Sequence, residues 1–271
     1  MSSAKVTTTK LAEMKAKGRR IAALTAYDAS TARLLNEAGV DVILVGDSVG
    51  NVKLGYENTL PVTVDEILHH LKAVRRGNSR ALLVADMPYL SYELDIPSAL
   101  RNAGRMVKEG GAEAVKVEGG KEVAPVIKEL LRVNVPVMGH LGLTPQAVHR
   151  LGGYKVQGRD PAQAERIVTD ARILEGAGAF AIVLECVPAD LAEEITRKVG
   201  VPTIGIGAGA GCDGQILVVD DLLGLGERAA PRFVKQYAEL RPLMLAAVRR
   251  YADEVRDEKF PGPEHTYASA P

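Results

Sequence analysis

Tryptophan is absent from this 271-residue chain and only 4% of its residues are aromatic, which leaves no stacking platform for nucleic-acid bases. Net charge is absent too, with 34 Lys and Arg set against 34 Asp and Glu. Without a basic excess there is no electrostatic footprint for a phosphate backbone. The pairs Arg19-Arg20, Arg75-Arg76 and Arg249-Arg250 read as solvated helix surface. Near-zero charge also gives copies of the chain little mutual repulsion, so self-association is expected. The two cysteines, Cys186 and Cys212, form neither a CxxC pair nor a disulfide framework. Cys186 reads as a small buried hydrophobe rather than a nucleophile. No apolar run reaches membrane-spanning length, and Met1-Ser-Ser-Ala-Lys5 carries no signal-peptide core. A soluble, cytoplasmic protein with no membrane or nucleic-acid partner is expected.

What the chain does have is a set of short apolar runs that end on acids. Val42-Ile-Leu-Val-Gly-Asp47, Leu82-Leu-Val-Ala-Asp86, Ala114-Val-Lys-Val-Glu118 and Ile182-Val-Leu-Glu185 share this form. Such runs read as strands buried on both faces, as in a parallel sheet. Further runs at 21–28, 135–140, 202–207 and 216–219 bring the count to eight, with helical segments between them. The helices open on residues such as Val64-Asp65-Glu66 or Ile96-Pro97-Ser98 and stop at glycines such as Gly39 and Gly77. A long amphipathic segment over about 231–257 reads as a helical tail, and a helix precedes Gly18 at the N-terminus.

Eight strands in unbroken alternation with helices predict one (β/α)8 barrel, a TIM barrel, spanning about 20–225. No linker divides the chain, so a single domain over 1–271 is expected, the tail included. In such a barrel the C-terminal ends of the strands converge on one mouth, where active sites are built.

Acids at that mouth need a reason. One Asp at a βα junction would ordinarily cap the next helix. Asp47, Asp86 and Glu118 lie on three neighbouring strands, however, and three carboxylates together require a neutralising cation. Oxygen donors without a His or Cys cluster point to Mg²⁺ or another hard divalent ion. Lys116 precedes Glu118 by two residues and so shares its face of the strand. A lysine buried there needs an anion, either a neighbouring carboxylate or a bound acid substrate. Glu185, across the mouth, either serves as a general base or, ahead of Pro188, caps the helix that follows. His140 and Ser48 each either bond a ligand or satisfy backbone groups. The Gly205-Ile-Gly-Ala-Gly-Ala-Gly211 run is a weak dinucleotide signal, better read as a loop passing close to a ligand or a neighbouring strand. Gly152-Gly-Tyr-Lys-Val-Gln-Gly158 is polar and glycine-rich enough to form a lid.

The strings Leu24-Thr-Ala-Tyr-Asp28, Leu44-Val-Gly-Asp-Ser48, Thr59-Leu-Pro-Val-Thr63, Val115-Lys-Val-Glu-Gly-Gly120, Gly139-His-Leu-Gly-Leu-Thr-Pro-Gln146 and Leu184-Glu-Cys-Val-Pro188 together resemble the ketopantoate hydroxymethyltransferase family. The resemblance covers about residues 20 to 240. It implies a Mg²⁺-dependent TIM-barrel transferase of pantothenate biosynthesis. Its substrate would be 3-methyl-2-oxobutanoate, with 5,10-methylenetetrahydrofolate as one-carbon donor. By motif, the resemblance makes Asp47, Asp86 and Glu118 the metal ligands and Glu185 the catalytic base. Asp47, Ser48, Asp86 and Lys116 would contact the oxo acid. The family also implies a homodecamer of two five-membered rings. Two rival readings fit parts of the pattern. One is a Mg²⁺-dependent lyase on a related barrel, which would want a cysteine-bearing loop. The other is a non-catalytic metabolite-binding barrel, which would have no use for a base opposite the metal.

Overall fold

Each repeating unit runs from an apolar strand through a polar cap into a helix. The computed structural model describes residues 4–227 and 230–268. The strands are β1 (Ile21–Thr25), β2 (Val42–Val45), β3 (Leu82–Asp86), β4 (Ala114–Glu118), β5 (Val137–Gly142), β6 (Ala181–Glu185), β7 (Thr203–Ile206) and β8 (Gly214–Leu217). They form a closed parallel barrel in sequence order, with β8 pairing back onto β1. The barrel expectation is met.

The helices are α1 (Thr8–Ala16), α2 (Ala29–Glu37), α3 (Val49–Val52), α4 (Val64–Gly77), α5 (Ile96–Lys108), α6 (Ala124–Arg132), α7 (Val148–Leu151), α8 (Pro161–Ala177), α9 (Ala189–Lys198), α10 (Val219–Leu222) and α11 (Leu240–Arg256). Side-chain caps start several of them. Asp28 accepts from the Thr31 amide at α2, so β1 stops at Thr25 and does not run on to 28. Thr63 and Glu66 close a reciprocal capping box at α4. Asp95 and Asp160 cap α5 and α8, each with a proline in the first turn.

Inside the barrel the side chains follow the two-residue period of the strands. Ile21, Ala23, Val42, Leu44, Leu82, Val84, Ala114, Met138, Ala181, Val183, Ile204 and Ile216 form its apolar filling. Val6, Leu11 and Met14 join that cluster, so the N-terminal segment and α1 close the barrel from one end. Extending the same alternation toward the C-terminal ends of β3 to β6 leads from Val84 to Asp86 and from Ala114 to Lys116 and Glu118. It likewise leads from Met138 to His140 and from Val183 to Glu185. The interior is therefore apolar at one end and ionic at the other.

The chain divides into two compact units, one ending at Val219 and the other beginning at Asp220. In the second unit, helix begins at Leu240 and not at 231. Pro242 explains the late start: one turn further into a longer helix, its ring would meet the carbonyl of residue 238. The segment before α11 instead folds back on its own unit. The Tyr237 and Leu240 amides donate to the carbonyls of Leu222 and Leu223.

Candidate active site

No acid at a strand end caps the helix that follows it. The N-cap of α3 is Ser48, that of α5 is Asp95 and that of α9 is Pro188, and neither Ser48 nor Pro188 makes a side-chain cap bond. With the capping alternative gone, the carboxylates belong to one another. Asp47, Asp86 and Glu118, all buried, each offer an oxygen such that the three lie within 4.8 Å of one another. Asp47 stands two residues beyond β2, and its amide donates to Asp86 Oδ2 at 3.2 Å. Gly46 permits this turn, because a Cβ there would lie 2.9 Å from Ser48 Oγ.

Lys116 threads the cluster. Its Nζ lies 2.6 Å from Asp86 Oδ1 and 3.4 Å from Glu118 Oε1, and Lys116 pairs with Asp86 in the β3–β4 register. His140 comes next around the barrel, in register with Glu118. Its Nδ1 is 3.2 Å from Glu118 Oε1, and its Nε2 lies 3.3 Å from Glu185 Oε2 without hydrogen-bond alignment. The end of β5 is pressed against that of β6, since a Cβ on Gly142 would fall 2.2 Å from the Glu185 carbonyl oxygen. Glu185 keeps 16% of its side chain exposed, against 2–5% for Asp86, Lys116, Glu118 and His140. It is thus the acid of this row most open to the mouth.

Charge and burial act against each other here. Burial, reinforced by Asp86 and Glu118, pushes the Asp47 carboxyl well above the usual range. Burial also raises Asp86, although Lys116 pulls it back. Burial would raise Glu118 as well, but Lys116 and His140 hold it down to about 2. Against the opposing effects of burial and Lys116, Glu118 and Glu185 bring His140 up to about 9, an imidazolium at neutral pH. Burial disfavours the Lys116 ammonium, yet the three carboxylates raise it above its ordinary value. Four carboxylates face two cations, so two negative charges remain when all are ionised. That is the charge of one divalent ion, and the donors around it are oxygens.

Residues outside the strand ends complete the site. The Gln146 amide is 3.1 Å from Asp47 Oδ2, and its backbone N–H donates to Glu118 Oε2 at 3.1 Å. Tyr92 lies 3.0 Å from Gln146 Oε1. Ser48 Oγ is held 2.8 Å from the Tyr27 hydroxyl. None of Gln146, Tyr92 and Tyr27 stands out in the sequence, because each reaches the site from a loop rather than from a periodic position. His140, open in the sequence between a ligand and backbone groups, has its signal in lying two residues after the inward-facing Met138.

The cysteines and the glycine run fall away from the chemistry, whereas the 152–158 loop lies near it: burial, with Asp47 and Glu185, raises the Tyr154 hydroxyl above its ordinary pKa. Burial, with Glu185 beside it, pushes the Cys186 thiol up to about 12, which makes it no nucleophile at neutral pH. Cys212 is buried. Gly209 has a φ of +77° and backs onto Ala189, a Cβ there falling 2.5 Å from the alanine Cβ, so this part of the glycine run is a close-packed turn. In the 152–158 loop, the Gln157 amide is tied to the Cys186 carbonyl at 2.9 Å while Tyr154 stays exposed. Among the described residues no helix is long and apolar enough to cross a membrane.

The residue pattern of ketopantoate hydroxymethyltransferases matches residues 5–263. The chain belongs to the ketopantoate hydroxymethyltransferase family. Membership makes it a hydroxymethyl-transferring enzyme. Among its relatives is the 3-methyl-2-oxobutanoate hydroxymethyltransferase of Moorella thermoacetica, 57% identical over 263 residues, which cover 97% of this chain and 98% of that one. The enzyme of the same name from Carboxydothermus hydrogenoformans is 54% identical over 267 residues, covering 98% and 97%. Solved structures of similar shape include a phosphonopyruvate hydrolase in complex with oxalate and Mg²⁺ (TM-score 0.62, 14% identity, 96% of this chain and 93% of that one). Another is 2,3-dimethylmalate lyase, a member of the PEP mutase/isocitrate lyase superfamily (TM-score 0.59, 15% identity, 94% and 89%). At such identities the likeness is one of fold.

Proposed function

We propose that this family member transfers a hydroxymethyl group from 5,10-methylenetetrahydrofolate to 3-methyl-2-oxobutanoate, giving 2-dehydropantoate for pantothenate and coenzyme A synthesis. The carrying observation is identity of 54–57% to enzymes of that name over nearly the whole chain, joined to an acid cluster at the barrel mouth.

Asp47, Asp86 and Glu118 would hold one Mg²⁺, which when bound supplies Lewis-acid polarisation of the 2-oxo acid's oxygens. Lys116 brings positive charge to where enolate charge develops, and together with Asp47, Ser48 and Asp86 it contacts the oxo acid. Glu185 takes the proton from C3, the branched carbon next to the ketone. His140 sets a positive charge beside the Glu185 carboxylate, its Nε2 3.3 Å from Oε2. The C3 carbon then bonds to the methylene carbon of the folate. Both C–N bonds to that carbon break, water supplies the hydroxyl group, the C3 proton and the other water proton go to the two folate nitrogens, and tetrahydrofolate leaves. Mass spectrometry of the products tests the reading. Dehydropantoate should form only with both substrates and a divalent ion, and its absence with the folded protein would refute the assignment.

The raised Asp47 and Asp86 carboxyls carry a pH consequence. An acid whose pKa is raised holds its proton to higher pH, and a cation must displace that proton to bind. Mg²⁺ affinity should therefore fall as pH is lowered toward the ordinary carboxylate range, before ordinary carboxylates titrate. Calorimetry in buffers of different ionisation enthalpy should record proton release on binding. Affinity that is flat over this descent, with no proton release, would count against the cluster as the ion's seat.

A cytoplasmic decamer belongs to the same proposal. Helix α11 buries none of its residues and exposes Leu243, Met244, Val248 and Tyr251, an apolar face suited to another chain. Light scattering should give the mass of ten chains.

A further inference from the structure

Asp86 and Glu118 each have Lys116 as a partner, but the side-chain hydrogen bond that Asp47 receives comes from Gln146. Gln146 lies on the loop between β5 and α7, in a short 3-10 turn over Pro145–Ala147. Its residue is 7% exposed, and every polar atom of its side chain is engaged. Nε2 lies 3.1 Å from Asp47 Oδ2 and 3.0 Å from the Met87 carbonyl, and Oε1 lies 3.0 Å from the Tyr92 hydroxyl. The orientation of this amide is decided by chemistry. A main-chain carbonyl and a carboxylate oxygen both accept, so the NH2 side must face Met87 and Asp47. The oxygen side must then face the one hydroxyl at hand. Tyr92 is fixed in turn, because its hydroxyl accepts from the Glu118 amide at 3.0 Å and lies 3.0 Å from the Glu118 carbonyl. Tyr92 is itself buried at 2% exposure. The loop also holds Glu118 directly, through the Gln146 backbone N–H on Oε2. One residue thus grips two of the three carboxylates from outside the strands that carry them.

We infer that Gln146 is the positioning residue of the acid cluster: its amide, oriented by Tyr92 and Met87, sets the Asp47 carboxylate for a divalent cation. Asp47 needs such a grip more than its neighbours do. It stands beyond the end of β2, where no strand alternation fixes its direction, and it repels Asp86 and Glu118. An N–H on Oδ2 halts the rotation of the carboxylate and leaves it acceptor capacity for an ion. Groups that orient metal ligands in this way change ion affinity without touching the ion. The inference rests on the reading of the cluster as the Mg²⁺ site, and its test separates the two.

The test compares Mg²⁺ affinity by calorimetry in the wild type, Asp47→Asn, Gln146→Met and Gln146→Asn. Methionine keeps the shape of glutamine without its hydrogen bonds, while asparagine keeps the amide one methylene short of Asp47. Both Gln146 variants should bind Mg²⁺ roughly 10–100-fold more weakly while remaining folded by circular dichroism without the ion, with a lowered thermal midpoint because Asp47, Met87 and Tyr92 lose partners. Saturating Mg²⁺ should return their rate of C3–H exchange on 3-methyl-2-oxobutanoate toward the wild-type value. If Gln146→Met does not fold, Gln146→Asn carries the same comparison. Unchanged affinity in a folded Gln146 variant, with affinity lost in Asp47→Asn, would overturn the role of Gln146 and leave the ion site standing. A wild type that binds no divalent ion would instead remove the site itself.

Discussion

Glu185→Gln is expected to abolish solvent exchange at C3 of 3-methyl-2-oxobutanoate, a loss of roughly 10²–10⁴-fold, the usual contribution of a positioned base. The amide keeps the size of the carboxylate and its place beside His140, so the mouth should not collapse. Glu185 is not one of the three carboxylates that converge within 4.8 Å, and Mg²⁺ affinity should therefore be unchanged. The contrast between a lost exchange rate and a retained ion titration is the signature of a base. Deuterium incorporation followed by proton NMR, beside calorimetry on the same sample, reads both. Exchange at the wild-type rate would remove Glu185 from the chemistry, and lost Mg²⁺ affinity would make it a ligand instead.

Lys116→Met should show the largest effect on stability. The ammonium lies 2.6 Å from Asp86 and 3.4 Å from Glu118 with 5% of its side chain exposed. Removing one partner of a buried ion pair leaves the other charge without compensation, at a cost of about 3–5 kcal/mol. Here two carboxylates are left, in a barrel end that already carries more acids than cations. Urea unfolding without metal should register that loss. Mg²⁺ should stabilise the variant more than it stabilises the wild type, because the ion then neutralises charge that Lys116 no longer covers. C3–H exchange should also fall, by about 10²–10³-fold, as expected when a charge aimed at the developing enolate is removed. A variant as stable as the wild type without metal would mean that the Asp86 and Glu118 carboxyls are already neutral.

Period-two alternation made much of this site readable. It put Lys116 and Glu118 on one face of β4, and the structure finds both side chains buried beside Asp86. Acids that end apolar runs on neighbouring strands had to converge once the sheet closed, and the barrel followed from eight such runs in alternation with helices. Other parts had no such signal. Asp28 looked like the end of a strand and is a helix cap, because Asp serves both places equally well. Gln146 reaches Asp47 only because the β5–α7 loop folds over the mouth, and no spacing in the sequence records a loop's path. His140 was ambiguous for a different reason. A single histidine at a strand end is usually satisfied by backbone, and only the β4–β5 and β5–β6 registers place it between Glu118 and Glu185. In the tail, hydrophobic periodicity over 231–257 outran the helix, since an apolar pattern continues through Pro242 while a helix interior does not.

Proton NMR of 3-methyl-2-oxobutanoate in D2O, with the wild-type protein and Mg²⁺ but no folate, tests the account most directly. Metal-assisted removal of the C3 proton by Glu185 predicts loss of the C3–H signal, and EDTA should stop it. A C3–H signal that persists with folded, Mg²⁺-saturated protein, and persists after tetrahydrofolate is added, would contradict the account.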